Sequence, residues 1–351
     1  MKEKFANNLS CPLPLTDHKQ ILLAHGGGGK LSGQLIEKMF YAGLGNEILE
    51  QGHDGAVLPS MDGKLAFTTD SFVVDPLFFP GGDIGDLAVN GTVNDLLCCG
   101  AEPRYISLAM ILEEGFLMED LWKIVLSIGQ AAHTAGVKIV TGDTKVVEKG
   151  KGDGIYINTT GIGRIMPDQN ISPERCYPGD VVIINGNIGD HGIAIMSARK
   201  GLKLETAVRS DTQALNVMMK DLFEKVADIH VLRDPTRGGL ASSLNEIAHS
   251  SGSGISLFES SLPIHEGVRG ACEIMGYDPL YIANEGKILV ILPEKHAPRA
   301  LSVMRSHNEG TESRIIGKVT SSQPGILQLE TVIGTTRIVD MISGEQLPRI
   351  C

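Results

Sequence analysis

Short strand-like runs alternate with helical patterns twice along this chain, and a turn-rich break separates the two series. In the first half, strand-like runs stand at residues 65–69, 137–140 and 155–160. Helical patterns lie between them at 31–40, 84–97 and 118–134, the last opening with Glu119 and Asp120, where acids suit the helix dipole. The stretch Ile-Met-Pro-Asp-Gln-Asn-Ile-Ser-Pro breaks this series, and Tyr-Pro-Gly-Asp (177–180) introduces a strand at 181–185. The second half then predicts helices at 212–229 and 238–249, with strands at 255–258, 286–292 and 315–319. At 351 residues the chain is too long for one ordinary core. The pattern therefore predicts two α/β domains of similar size, 20–168 and 176–340. Residues 1–19 carry no usable motif and read as a flexible extension. Gly344 and Pro348 break periodicity near the other end, so 341–351 reads as a mobile tail.

Charge and hydropathy exclude several functions. The net charge is −11 and no basic stripe reverses it, which argues against nucleic acid and anionic lipid as partners. No apolar run approaches the ~20 residues of a membrane helix, and Met-Lys-Glu-Lys-Phe-Ala-Asn-Asn is no signal peptide, so a cytoplasmic location is expected. The six cysteines (11, 98, 99, 176, 272 and 351) are not spaced as a zinc site, and a reducing compartment predicts no disulfides. The adjacent pair Cys98-Cys99 reads as two small buried apolar residues. Glycine is abundant, 42 of 351 residues, without period or low-complexity run, which points to many tight turns or close approaches to ligand.

Three features carry chemistry. His25-Gly-Gly-Gly-Gly-Lys30 precedes a helix, and such a run can wrap phosphate with backbone N–H groups while Lys30 adds charge. It is neither a Walker A loop nor GxGxxG, and it serves equally as a connector. The second feature is a set of aspartates at junctions: Asp54, Asp70, Asp86, Asp95, Asp143 and Asp234. Asn90 and Asn94 recur with Asp86 on a helix whose other faces are apolar. Each alone fits a cap or turn. Together they suit magnesium, which prefers carboxylate oxygen and keeps phosphate as a further ligand. The third is Cys351, a terminal thiol on a Pro-containing tail, able to swing into a pocket or simply the last residue.

Longer motifs carry a resemblance. Phe-Thr-Thr-Asp-Ser-Phe-Val-Val-Asp-Pro, Gly-Asp-Ile-Gly-Asp-Leu-Ala-Val-Asn-Gly-Thr-Val-Asn-Asp-Leu, Val-Thr-Gly-Asp-Thr-Lys-Val-Val, Asp-Pro-Thr-Arg-Gly-Gly-Leu and the final Pro-Arg-Ile-Cys resemble the HypE family of hydrogenase-maturation carbamoyl dehydratases. The likeness runs from about residue 20 to the end, and the terminal Pro-Arg-Ile-Cys is its most specific element. The aspartate and glycine motifs alone place the chain only in the wider superfamily of aminoimidazole ribonucleotide synthetase, selenophosphate synthetase and thiamine-phosphate kinase.

The resemblance implies a two-domain aminoimidazole ribonucleotide synthetase-like α/β fold, with the N-terminal domain pairing into a dimeric β-barrel. It implies that a carbamoyltransferase, HypF, loads a carbamoyl group onto Cys351. ATP then drives its dehydration to a thiocyanate, the source of the cyanide ligands of [NiFe]-hydrogenase iron held by a HypC–HypD complex. ATP and Mg2+ are the implied cofactors. By the same likeness Asp54, Asp70, Asp95 and Asp234 hold magnesium. Lys30, Asn90, Asn94, Gly142, Asp143 and Thr144 bind nucleotide, while Glu285 acts as base and Lys145 as the cation near the carbamoyl oxygen. Glu285 also reads as the cap of the turn into strand 286–292, and Lys145 as a solvated surface charge.

Two other readings compete. One is a superfamily phosphotransferase acting on a free small molecule such as selenide; the glycine run here lacks the cysteine that selenophosphate synthetases carry there. The other is a scaffold that presents the tail to partners without catalysis.

Overall fold

The structure, a computed structural model, describes residues 12–201, 208–342, 344, 347 and 349–351. Residues 1–11 of the expected N-terminal extension, and positions 343, 345, 346 and 348 of the expected tail, lie outside the described residues.

The first α/β unit is a four-stranded sheet with helices on one face. In chain order its main elements are α1 (Lys30–Leu35), α2 (Tyr41–Leu44), β1 (Leu65–Phe72), the two-residue strands β2 (Phe78–Phe79) and β3 (Gly82–Asp83), α3 (Ile84–Cys98), β4 (Ala101–Glu113), α4 (Met118–Ala135), β5 (Lys138–Val147) and β6 (Ile155–Ile165). A π-turn over Ile36–Phe40 joins α1 to α2 in place of the single helix expected at 31–40. The sheet order is β1-β6-β4-β5, parallel only between β4 and β5. Strand periodicity sorts the two faces. Ala66, Thr68, Asp70 and Phe72 of β1 turn toward α3, while Leu65 and Phe67 point away and are 55% and 70% exposed. Helix α3 is capped by Asp83, whose carboxylate accepts from the Gly85 and Asp86 N–H groups.

The second unit contains β7 (Asp180–Ile184), α5 (Asp190–Lys200), α6 (Asn216–Lys225), β8 (Val231–Arg233), α7 (Gly239–Ser251), β9 (Gly254–Phe258), α8 (Glu266–Met275), β10 (Leu289–Pro293), α9 (Ala297–Arg305), β11 (Arg314–Thr320), β12 (Leu327–Glu330) and β13 (Thr336–Ile338). These strands form a seven-stranded sheet, β13-β12-β9-β11-β7-β10-β8, antiparallel except between β12 and β9. β7 is buried along its whole length, and its Val-Val-Ile-Ile sequence reads as the interior strand it is.

Several expectations shift. Periodicity at 212–229 predicts one helix, but α6 starts only at Asn216, because Thr212, Gln213 and Leu215 bond to Asn90 and Asn94 of α3 instead. β10 starts at Leu289 rather than 286, since the Glu285 and Gly286 N–H groups turn to the Asp211 carboxylate. β4, the longest strand, follows α3 after a two-residue turn and carries Pro103 at a register shift, which hides it from pattern reading. The described part of the expected flexible extension is packed. Leu15 is buried, and Lys19 accepts from the Met118 N–H at the start of α4.

Candidate active site

The described end of the tail lies against the first unit. The Val73 N–H donates to the Cys351 carbonyl at 3.0 Å, and Asp75 N–H donates to the Arg349 carbonyl at 3.3 Å, an antiparallel register just beyond β1. Arg349 adopts a left-handed backbone, φ 54°, which costs a non-glycine residue about 1–2 kcal/mol. Its side chain offsets this by donating to the Val73 carbonyl at 3.0 Å and pairing with Asp153. Arg199 of α5 also donates to the Arg349 carbonyl, at 2.8 Å. Ile350 is buried, and its carbonyl meets His191 Nε2 at 2.9 Å. A carbonyl only accepts, so Nε2 carries the proton and Nδ1 accepts from the Ser210 hydroxyl at 2.7 Å. Burial lowers the pKa of His191, which keeps the ring neutral.

This docking places Cys351 in the wall of a cavity of about 370 Å3, with Ser71, Val73, Arg237, Ala283 and Leu347 among its neighbours. Burial pushes the thiol up to about 12, with Glu285, Asp70 and Asp234 adding to the rise and Arg237 opposing it.

Around it stand four carboxylates on four elements: Asp70 on β1, Asp95 on α3, Asp234 after β8 and Glu285 before β10. Burial raises all four. Asp95 adds to the rise at Asp234, which reaches about 7, and Asp234, Asp211, Asp70 and Asp95 all add to the rise at Glu285. Thr68 donates to Asp95 at 2.8 Å, and the Cys98 thiol lies 3.9 Å from Asp234. Glu285 Oε1 is buried without a hydrogen-bond partner. Among the described residues no three Asp, Glu, His or Cys side chains already enclose a metal-sized site. The donor chemistry nonetheless fits a hard divalent cation, because these are mutually repelling oxygen donors with one left unpaired.

The other expected residues fall elsewhere. Gly142, Asp143, Thr144 and Lys145 lie within β5, not beyond it, and line a second cavity of about 350 Å3 with His25, Gly26 and Gly28 of the glycine run and Ser32 of α1. Lys145 pairs with Asp143 at 2.5 Å and is 63% exposed, which holds Asp143 below the usual carboxylate range. Lys145 is therefore grouped with the glycine run rather than with Glu285, and the cation near Cys351 is Arg237. Lys30 is exposed at the first position of α1, and Asp54 is exposed on the loop between His53 and Gly55, two residues of the same cavity wall. Asp54 is thus set apart from Asp70, Asp95 and Asp234.

Asn90 and Asn94 are buried. Asn94 donates to the carbonyls of Gln213 at 3.0 Å and Glu285 at 3.1 Å and accepts from Leu215 N–H at 3.0 Å. Asn90 donates to Thr212 Oγ1 at 3.2 Å. These amides join the two units, and those of Asn94 leave no donor for a nucleotide. Sequence reading missed Arg237, His191 and Asp211. Arg237 stands inside the Asp-Pro-Thr-Arg-Gly-Gly motif and could have been weighed; His191 and Asp211 have only long-range partners, which leave no local signal.

Comparison with known proteins fits this geometry. Residues 52–165 match the AIR synthase related protein N-terminal domain, and residues 177–330 the corresponding C-terminal domain. The carbamoyl dehydratase HypE of Azotobacter vinelandii is 51% identical over 94% of this chain and 96% of its own. The chain belongs to the HypE family of carbamoyl dehydratases. A crystal structure of the hydrogenase maturation protein HypE in complex with ATP superposes with a TM-score of 0.91 at 50% identity, covering 94% of this chain and 99% of that one. A HypE–HypF complex structure matches with a TM-score of 0.77 at 50% identity, over 88% and 99%. The two-domain HypE fold thus spans nearly the whole chain.

Proposed function

We propose that this chain uses ATP to dehydrate an S-carbamoyl group on its own Cys351 to a thiocyanate, the cyanide donor for [NiFe]-hydrogenase iron. The observation that carries this reading is the docked tail, which sets Cys351 in a pocket with Arg237 and near enough to Glu285 for its charge to raise the thiol. A thiocarbamate oxygen is a poor leaving group. Transfer of the γ-phosphoryl group of ATP to that oxygen, with loss of one N–H proton, gives an S-linked imidoyl phosphate and ADP. Loss of the second N–H proton as the C–O bond breaks closes C≡N and releases inorganic phosphate; no electrons are exchanged. Glu285, raised by burial and surrounding acids, is the proposed base for those protons. Arg237 is the proposed cation facing the developing charge.

Nucleotide is assigned to the cavity lined by Gly26, Gly28, Gly142, Asp143, Thr144 and Lys145, with Lys30 at its edge. Mg2+ is assigned to Asp70, Asp95 and Asp234, where it would neutralise phosphate charge; Asp54 lies nearer the nucleotide cavity. The docked thiol is a poor nucleophile at about 12, so carbamoylation by a HypF-type carbamoyltransferase needs the tail to leave the pocket. An S-carbamoyl sulfur carries no charge and suits a pocket with Asp70, Asp234 and Glu285 close by on return. The partner proposal draws support from the HypE–HypF complex structure; a HypC–HypD acceptor is what the family resemblance implies. The uncovered sheet face with Leu65, Phe67 and Ile111 supports a homodimer joined through the first unit.

Mass spectrometry of the C-terminal peptide tests the reaction. Incubation with carbamoyltransferase, carbamoyl phosphate and ATP should add a carbamoyl group to Cys351, then remove one water only when ATP is present. An unmodified Cys351 refutes it.

A further inference from the structure

Residues 208–215 carry no helix or strand, yet they bond to helix α3, to the Glu285–Gly286 turn and, through His191, to the tail. Ser210 N–H donates to the Pro80 carbonyl at 2.7 Å, and its hydroxyl holds His191, which holds the Ile350 carbonyl. The next residue, Asp211, has a buried side chain that pairs with Lys287 at 2.9 Å. Its carboxylate accepts from the Glu285 N–H at 3.2 Å and the Gly286 N–H at 3.3 Å. Thr212, Gln213 and Leu215 bond to Asn90 and Asn94, and Asn94 also holds the Glu285 carbonyl.

The fit is tight on both sides. A Cβ at Gly286 would lie 1.9 Å from the Asp211 carbonyl oxygen. One at Gly81, φ 104°, would lie 2.6 Å from the Ser210 nitrogen. Burial disfavours the Asp211 charge, but Lys287 and the Glu285 N–H outweigh it and hold its carboxyl below the usual range. Asp211 therefore remains an ionised acceptor.

We propose that residues 208–215 form a positioning strap that fixes Glu285 through Asp211 and the tail through Ser210 and His191, so that one backbone segment sets the separation of base and carrier thiol. The proposal rests on the dehydratase reading above and adds Asp211 and His191 as positioning residues. Neither is placed to touch the carbamoyl group; each acts through a neighbour.

Loading and dehydration are separate mass changes on one peptide, so each can be timed alone in the full-length protein. Asp211→Ala should slow dehydration ~10²-fold, the scale of a base misplaced by about 1 Å, with loading and the KM for ATP unchanged. Asp211→Asn should recover part of the rate, because one oxygen still accepts an N–H. His191→Leu should slow dehydration while loading stays equal or quickens, since a released tail is more available; His191→Gln, which keeps a donor at the Nε2 position, should restore both. A folding defect slows loading and dehydration together. If Asp211→Ala does not fold, the double variant Asp211→Ala/Lys287→Met removes the unpaired buried charge and should still dehydrate slowly. Wild-type dehydration by Asp211→Ala or by the double variant overturns the strap. Failure of the wild-type protein to dehydrate overturns the underlying reading instead.

Discussion

Alkylation of Cys351 should be slow, and slow for an electrostatic reason. The pocket moves the thiol from an ordinary 9.0 to about 12, against a docked thiolate by about 4 kcal/mol. At pH 8 a thiol of ordinary pKa is roughly a tenth ionised, and the docked one about one part in ten thousand. The thiolate is the reactive species, so docking should reduce the iodoacetamide rate by up to ~10³-fold. Docking favours the protonated thiol, so its contribution is complete below the ordinary value and is lost as pH rises toward 12. The rate should therefore climb steeply above pH 9 as the tail is released. The assay follows the C-terminal peptide freed by cleavage after Glu345, by mass, at pH 7 to 10. Arg349→Ala removes the Asp153 pair and the Val73 hydrogen bond and should raise the rate at pH 8 at least tenfold. A wild-type rate equal to that of a free C-terminal peptide, with no gain in the variant, refutes docking in solution and the reasoning built on it.

Glu285→Gln should cut dehydration ~10²–10⁴-fold while leaving carbamoyl loading intact; in the wild type the acid limb of the dehydration profile should lie above that of an ordinary carboxylate, because the base must be ionised and its pKa is raised. Burial pushes Asp234 up to about 7, so Mg2+ competes with a proton there more at low pH; the rise in Tm on adding Mg2+ without nucleotide should be larger at pH 8 than at pH 6, and equal rises would count against the metal assignment. Asn94→Ala strands three buried hydrogen-bond partners and should destabilise the fold by about 2–4 kcal/mol, read as an earlier urea transition. Phe67→Glu places a charge on the uncovered sheet face and should convert a dimer to monomer by light scattering; an unchanged mass would place the dimer contact elsewhere.

Much of the fold was legible because it is written in periodicity. The helix at 84–97 stands one residue short of α3, and 118–134 one residue short of α4, because apolar spacing and acidic first turns are local properties. The sequence also singles out Asp70, Asp95, Asp234, Glu285 and Cys351, through junction positions and a resemblance across long motifs, and the structure brings these five near one another. Pattern reading failed where the partner is distant. Thr212 to Leu215 look helical, yet their hydrogen bonds go to α3, more than a hundred residues earlier. Asn90 and Asn94 look like ligand donors until the structure shows Asn94 bonded on both sides of its amide.

The sequence by itself determined that this is a two-part α/β chain with buried acids and a terminal thiol, since hydrophobic spacing, turn residues and residue chemistry act over short distances. Only the tertiary structure decided which acids cluster near Cys351, that Lys145 lines the glycine-run cavity, and that Arg237 lines the same pocket as Cys351. Those outcomes depend on how two sheets, one helix and an irregular segment pack together, and burial then sets the charge of each group by what it is buried beside.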